Sequence, residues 1–597
     1  MVLLSSAVTA RVRIAFCLAL VAACTLCCAQ NPSPGLRQAD TDYRAGVAAL
    51  SRNDLTTAKR EFEEVVRLAP NIEQGHSALG TVLVRSGDMT AGIRELQKAA
   101  AMNAADTGAE ENLAMALEQD GKPALAVPWF ARLEAKAQED HRPLPVALEA
   151  AYARTLAATH QPAAAQARMK EALQQSPRDA QLWDQLGTLQ AQQREWSAAD
   201  ESFTRAVQLN PNLAMAHLHL GLTLQAEQKP GALDEVRRAD ALAPHNPVIL
   251  SQLAQLLVAG GDDREAIPLL HEALAANPGS AADAYQLGLA LQRTGEVSEA
   301  IPLLEKAASA ESTNADVFTN LGMALCQVQR AKDAVPVLQK AVGLSPRNAT
   351  ARENLAAAYI QLSQFDDAVM QLREALRLSP EAPQLHYDLG LALKMKDDDA
   401  DAIPEFEAAE KRNPSASEPP YALGMLYLQA GRYADAEREL QTTLRLQPQN
   451  GDAWATLGSV ENHLGKLPEA AKALHEAIRQ RPNEPDPYLI LAEVLVKQKQ
   501  PEQAAVERKK AAELMRANMN RQRAEVSCNS GNDLLKQGKL ADAEAAFRDA
   551  LSFDPTDTQA HLGLANALQQ EGKTAEAAAE RQKAQNAPAN AASRAQP

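Results

Sequence analysis

Small and apolar residues recur along this chain with a period of about 34 residues, and inside each period they are spaced for helices rather than strands. The stretch from Asp179 to Asn212, DAQLWDQLGTLQAQQREWSAADESFTRAVQLNPN, shows the pattern cleanly. Trp183, Leu186, Gly187 and Leu189 share one face of a predicted first helix. A turn is expected at Gln193-Arg194-Glu195, and Ala199, Phe203 and Ala206 define a second helix that Pro211 stops. No convincing run of alternating β-branched residues appears anywhere, so the fold class is all-α. Repetition at this period predicts an α-solenoid of helix-turn-helix units, each burying its apolar face only against its neighbours.

Each copy can be indexed so that the small residue of the first helix is position 8. Sixteen in-phase copies follow, with position 8 running from Gly46 to Ala565; it is Gly in ten of them and Ala in the rest. Gly costs about 1 kcal/mol against Ala inside a helix, so its recurrence at one phase needs a packing reason. Close crossing of the two helices of a unit supplies it. Position 20, in the second helix, is Ala in every copy except Gly92. Position 7 is mostly Leu, as in Leu186, Leu253, Leu321 and Leu457, and position 24 is a larger knob such as Phe62, Phe203 or Phe406. Proline recurs at position 32, as in Pro177, Pro211 and Pro380, where the missing N–H and the restriction on the preceding residue end the second helix.

Some copies depart from the pattern. The sixth is one residue short near Lys229-Pro230-Gly231, and the third is followed by an insertion from Glu139 to Pro145. Pro128, Pro268, Pro302, Pro336 and Pro404 occupy position 22, expected near the end of the first turn of the second helix, where few hydrogen bonds are lost. Between Pro501 and Gly531 no Pro or Gly intervenes, and position 24 becomes Arg508. The second helix of repeat 14 is therefore expected to run on past Arg516 and to merge with the first helix of repeat 15, forming a joint in the array. Arg581 at position 24 of the last copy suits a capping unit whose outer face meets water.

The large residue at position 4, Leu-Gly at 7 and 8, Ala at 20 and 27, the apolar knob at 24 and Pro at 32 resemble the tetratricopeptide repeat (TPR) over nearly the whole chain. The resemblance implies a right-handed superhelix of about sixteen units whose first helices line a concave surface, and a role in holding protein partners. The repeats are also similar to those that precede the catalytic domain of O-linked N-acetylglucosamine transferases, but the transferase domain has no counterpart here. In those enzymes asparagines form a ladder along the groove. Position 6 offers a comparable row in repeats 5 to 11: Gln185, His219, Gln252, Gln286, Asn320, Asn354 and Asp388. Each amide has both a donor and an acceptor for the backbone of an extended peptide. The competing reading is that polar residues at this position, common in the repeat, only face water. Outside these repeats the row decays to Ala151, Ala422, Thr456 and Ile490, so a binding segment is expected to be central. The paired Lys and Asn of the TPR carboxylate clamp are not reproduced.

Composition narrows the picture. Of 597 residues 46% are apolar but only 4% aromatic, so the core is mostly Ala and Leu and poorly suited to an aromatic-lined pocket. The net charge of −16 disfavours nucleic acid and anionic lipid headgroups, because affinity for phosphates rests on Lys and Arg. Four of six cysteines fall in the first 28 residues. The other two, Cys326 and Cys528, lie too far apart in the array to pair and read as buried thiols.

Residues 1–29 read as an export signal: Arg11 and Arg13, an apolar core from Ile14 to Leu26, and a small-residue site at Cys27-Cys28-Ala29. Val21-Ala22-Ala23-Cys24 also resembles a bacterial lipobox, which would lipidate Cys24; an uncleaved anchor is the third reading. The expected division is a signal peptide at 1–29, a linker at 30–38, repeats 1–14 at 39–515, a helical joint at 516–523, repeats 15 and 16 with a capping helix at 524–586, and a disordered tail at 587–597.

No catalytic motif emerges. HExxH, the phosphate-binding GxxxxGK[ST] and GxSxG at a strand–helix turn are all missing. His217 and His219, two residues apart on a helix, point away from each other and cannot share a metal. Asp397-Asp398-Asp399 reads as solvated surface. The expectation is a non-enzymatic scaffold exported to the bacterial envelope (periplasm or outer membrane), with no cofactor, metal, nucleic acid or small-molecule substrate. It binds a protein or peptide, and touches the membrane only if lipidated at Cys24. The rival readings are an outer-membrane lipoprotein assisting secretion, pilus or polysaccharide-export assembly, and a substrate-recruiting subunit of a separate glycosyltransferase.

Overall fold

The computed structural model describes residues 34–103 and 106–586, so the export and lipidation readings and the tail at 587–597 lie outside it. The described residues form 31 helices and no strand. Sixteen two-helix units would give one helix more; the difference is Pro501–Lys536, a single helix shared by repeats 14 and 15. The chain divides between Ala307 and Ala308 into two compact units, and within each the helices pack on their neighbours in chain order.

Local sequence sets the helix ends. Repeat 5 comprises Ala180–Gln192 and Trp196–Leu209. Asp179 caps the first of these, its side chain accepting from the backbone N–H groups of Gln181 and Leu182, which satisfies donors the helix leaves unpaired. The turn between the two helices needs one left-handed residue, here Arg194 at φ 60°. The second helix ends two residues before Pro211, the proline that cannot continue it.

Position 8 lies directly beneath position 24 of its own repeat. A Cβ built on Gly187 would come within 2.6 Å of the Phe203 ring, and one on Gly390 within 2.8 Å of the Phe406 ring. At Gly322 the intruded side chain is Leu338. Ala199, Ala334 and Ala402 at position 20 are fully buried beside these contacts. The small residues thus let the two helices approach while the knob fills the remaining space.

Two details differ from the sequence reading, and a third goes beyond it. Pro34–Gln38, expected as linker, begins the first helix, Pro34–Ser51; proline suits the first helical position because that N–H has no partner in any case. The prolines at position 22 lie in the second turn, as the sixth residue of helices such as Ala331–Leu344 and Asp399–Arg412. Each therefore removes one intrahelical bond, and the difference from expectation is the turn rather than the small loss. The insertion after repeat 3, whose conformation the sequence left open, takes part in the fold. The second helix there is lengthened, Pro123–Glu139, and Leu144 turns back into the core while its carbonyl accepts from Gln175 Nε2 at 2.9 Å.

Candidate functional site

The first helices of successive repeats are joined by side chains that reach across about one period. In the first unit Arg154 donates to Glu118 Oε1 at 2.8 Å and to Gln185 Oε1 at 3.3 Å. His219 Nδ1 pairs with Asp184 Oδ1 at 2.8 Å, and Arg293 donates to the Val258 carbonyl at 2.9 Å. In the second unit Gln361 donates to the Cys326 carbonyl at 3.0 Å and Lys497 to Asn462 Oδ1 at 2.8 Å. Such links orient the face that carries position 6.

All seven position-6 residues of repeats 5 to 11 are half-buried. They are not equivalent, because neighbours already engage several of them. Gln185 accepts from Arg154, His219 is held by Asp184, and Asn320 also has a partner. Asp388 accepts from Gln384 Nε2 at 2.8 Å. The side-chain amides of Gln252 and Gln286 make no hydrogen bond among the described residues. Asn354 Nδ2 is shielded from solvent and has no partner, a costly condition for an amide donor unless something supplies an acceptor. The available amides are therefore Gln252 and Gln286 in the first unit and Asn354 in the second.

Beside Asn354, burial raises the carboxyls of both Glu353 and Asp388. After burial, the charge of Asp388 and a hydrogen bond with it raise Glu353 further. Three other carboxyls, Glu73, Glu149 and Glu461, are pushed up to about 7, chiefly by burial.

Position 4 forms a second recurring arrangement, which sequence reading left unassigned. His217 pairs with Glu235 Oε2 at 2.6 Å through Nδ1 and with the Pro211 carbonyl at 2.9 Å through Nε2. His76, His386 and His561 repeat this bridge with Glu95, Glu405 and Glu580. Trp183 and Trp454 donate to the Pro177 and Pro448 carbonyls, and Tyr488 to that of Pro482. In these seven repeats the side chain thus fastens the first helix to the carbonyl left open where the preceding repeat ends. The readable signal is a polar-tipped large residue six positions after the closing proline, as in Pro211 and His217 or Pro448 and Trp454; it is missing after Pro244 and Pro278, which Leu250 and Ala284 follow. His217 and His219 consequently serve separate partners.

Cys326 and Cys528 are free and buried, and burial pushes both thiols up to about 11, which makes them poor nucleophiles. Among the described residues no group of His, Cys, Asp and Glu is placed to hold a metal ion. No helix there is long and apolar enough to cross a membrane.

Comparison with known proteins agrees with this geometry. The tetratricopeptide repeat model matches residues 77–141, 185–247, 251–316, 319–372, 421–485, 464–509 and 528–591, and a second TPR repeat model matches 357–397. Cellulose synthase 2 operon protein C of Komagataeibacter xylinus is 29% identical over 279 residues, which cover 43% of this chain and 21% of that protein. This chain therefore matches about a fifth of that relative's length. Among solved structures, the Cut9–Hcn1 hetero-tetramer of the APC/C is 15% identical with a TM-score of 0.30, covering 89% of this chain and 96% of that one. YrrB, described as a TPR protein with an unusual peptide-binding site, is 23% identical with a TM-score of 0.28, covering 33% and 97%. MamA from Desulfovibrio magneticus RS-1 is 25% identical with a TM-score of 0.27, covering 28% and 96%. With its helix pairs matched through most of its length, the chain belongs to the tetratricopeptide repeat family, whose members are generally non-catalytic scaffolds for protein–protein interaction.

Proposed function

We propose that this protein is a non-enzymatic scaffold of the bacterial cell envelope that holds an extended peptide or protein segment against its first helices. The observation that carries the reading is the set of half-buried amides without partners, Gln252, Gln286 and Asn354. An extended backbone supplies what they lack, an acceptor for each NH2 and a donor for each carbonyl. The apolar stretch after Arg11 and Arg13 supports export. Random peptides selected on the intact protein should lose about 5- to 10-fold in affinity for Gln252→Ala/Gln286→Ala, and a smaller factor for Asn354→Ala, with melting temperatures unchanged. Peptides that bind wild type and both variants equally would refute the amide row.

The likeness to a cellulose synthase operon protein favours a narrower second reading. Here the scaffold is an outer-membrane lipoprotein, anchored at Cys24, that assists polysaccharide export or recruits substrate for a separate glycosyltransferase. Palmitate labelling in growing cells that disappears in Cys24→Ala supports the anchor; equal labelling of both, or none in wild type, removes it.

A further inference from the structure

The helix Pro501–Lys536 is packed at its two ends and bare in between. Near its start Ala504 belongs to a core with Leu491, Ala492 and Leu495. Near its end Ala524 and Cys528 belong to a separate core around Phe547 and Leu564. At about 100° per residue, Ala524 lies roughly 200° around the helix from Ala504, so the two ends pack through opposite faces. Residues 512–523 include no buried side chain. This span is a helical rod held at both ends and open to solvent along its middle.

Its charge is the reverse of the chain's. Between 508 and 523 there are six cations, Arg508, Lys509, Lys510, Arg516, Arg521 and Arg523, and one acid, Glu513, in a protein of net charge −16. None of the six is in an ion pair among the described residues. Elsewhere basic side chains commonly have one; Lys466 reaches Glu437, and Lys573 reaches both Glu544 and Glu571. Arg521 only donates to Asn518, and Arg523 lies 5.7 Å over the Phe553 ring. Along one side of the same span Met515, Met519 and Val526 are 43%, 47% and 66% exposed. Separations of four and seven residues align them in a single stripe, with Arg508 on its line and Arg516 and Arg523 on its flank.

We infer that the exposed middle of this helix is a docking site for an acidic amphipathic helix of a partner protein, whose apolar side chains cover the Met515–Met519–Val526 stripe while its carboxylates meet the unpaired cations. Charge complementarity selects this occupant. A second copy of the same helix would bring cations against cations. A membrane surface would find a narrow stripe without Trp, Phe or Leu, and a nucleic acid would meet the acidic repeats on either side. Methionine pairs adapt to varied apolar partners, and a positive span in an acidic field steers an acidic segment to itself. The site is independent of the first-helix amides.

The test uses the full chain and a fluorescein-labelled synthetic helix with Leu along one face and Glu on its flanks. Its affinity is measured by anisotropy against wild type, Arg508→Glu/Arg516→Glu/Arg523→Glu, Met515→Ser/Met519→Ser, and a charge control, Arg60→Glu/Arg67→Glu, in the first repeat. Circular dichroism checks that each variant is folded. Both helix variants should weaken binding at least ~10-fold while the control does not, and a Glu→Gln version of the peptide should not bind. Equal binding to all proteins overturns the site. Loss through the arginines alone, with the methionine variant unchanged, shows attraction without docking and also overturns it. So does arginine-dependent binding to phosphatidylglycerol vesicles with none to the peptide.

Discussion

Phe406→Ala is expected to destabilise the protein by about 3–5 kcal/mol, and to do so locally. The ring is fully buried, lies over Gly390 and packs against Tyr387 with centroids 5.6 Å apart. Gly390 beneath it has no side chain and Ala402 beside it is small, so neither can fill the space from the helix crossing. In a linear array each repeat is stabilised by its immediate neighbours, so the loss should appear as faster hydrogen exchange around residues 383–412 and little change in 34–103. Phe406→Leu should recover much of the stability, since Leu338, Leu440 and Leu474 fill the same place over Gly322, Gly424 and Gly458. Uniform loss of protection along the chain would contradict the nearest-neighbour picture.

Glu461→Gln is expected to stabilise the protein at pH 8 by roughly 1–3 kcal/mol and to leave it unchanged below about pH 4.5. Glu461 is 5% exposed and its Oε2 has no partner. Burial raises its pKa most, Glu437 and Glu469 add to the rise, and Lys466 and Lys472 offset part of it, leaving it at about 7 against an ordinary 4.5. The folded carboxyl therefore keeps its proton where the unfolded one has lost it. Its contribution to stability falls as pH rises from about 4.5 through 7, and glutamine, which never ionises, escapes that fall. Melting curves of both proteins from pH 4 to 8 should diverge upward through this window; parallel curves would contradict the assignment.

How much of this was legible in the sequence follows from how far each constraint reaches. Position 8, position 20 and the closing prolines are fixed by contacts inside one repeat, and they recur at constant phase in Gly187, Ala199 and Pro211 and their counterparts. They announced the helix pairs and the family. The amide row was visible as a spacing, but its condition was not. Whether Gln185 is engaged depends on Arg154, 31 residues earlier, and the rise of the Asp388 carboxyl, set first by burial, is moderated by Gln384 and by Glu353 in the preceding repeat. None of these partners belongs to the repeat pattern, so only folded neighbours reveal them. The bridge from His217 to the Pro211 carbonyl lies between these cases: six residues apart, periodic, and readable once the carbonyl is asked where its hydrogen bond goes.

The central claim, that partners are held against the first helices, is tested most directly by photo-crosslinking in intact cells. Benzoylphenylalanine is placed at 286 or 354 on the first helices, or at the exposed Met370 of the second helix Phe365–Leu378, and captured proteins are identified by mass spectrometry. The account predicts partner capture from 286 and from 354, each within its own unit, and none from 370. Capture from 370 alone would place the binding surface on the second helices and contradict it.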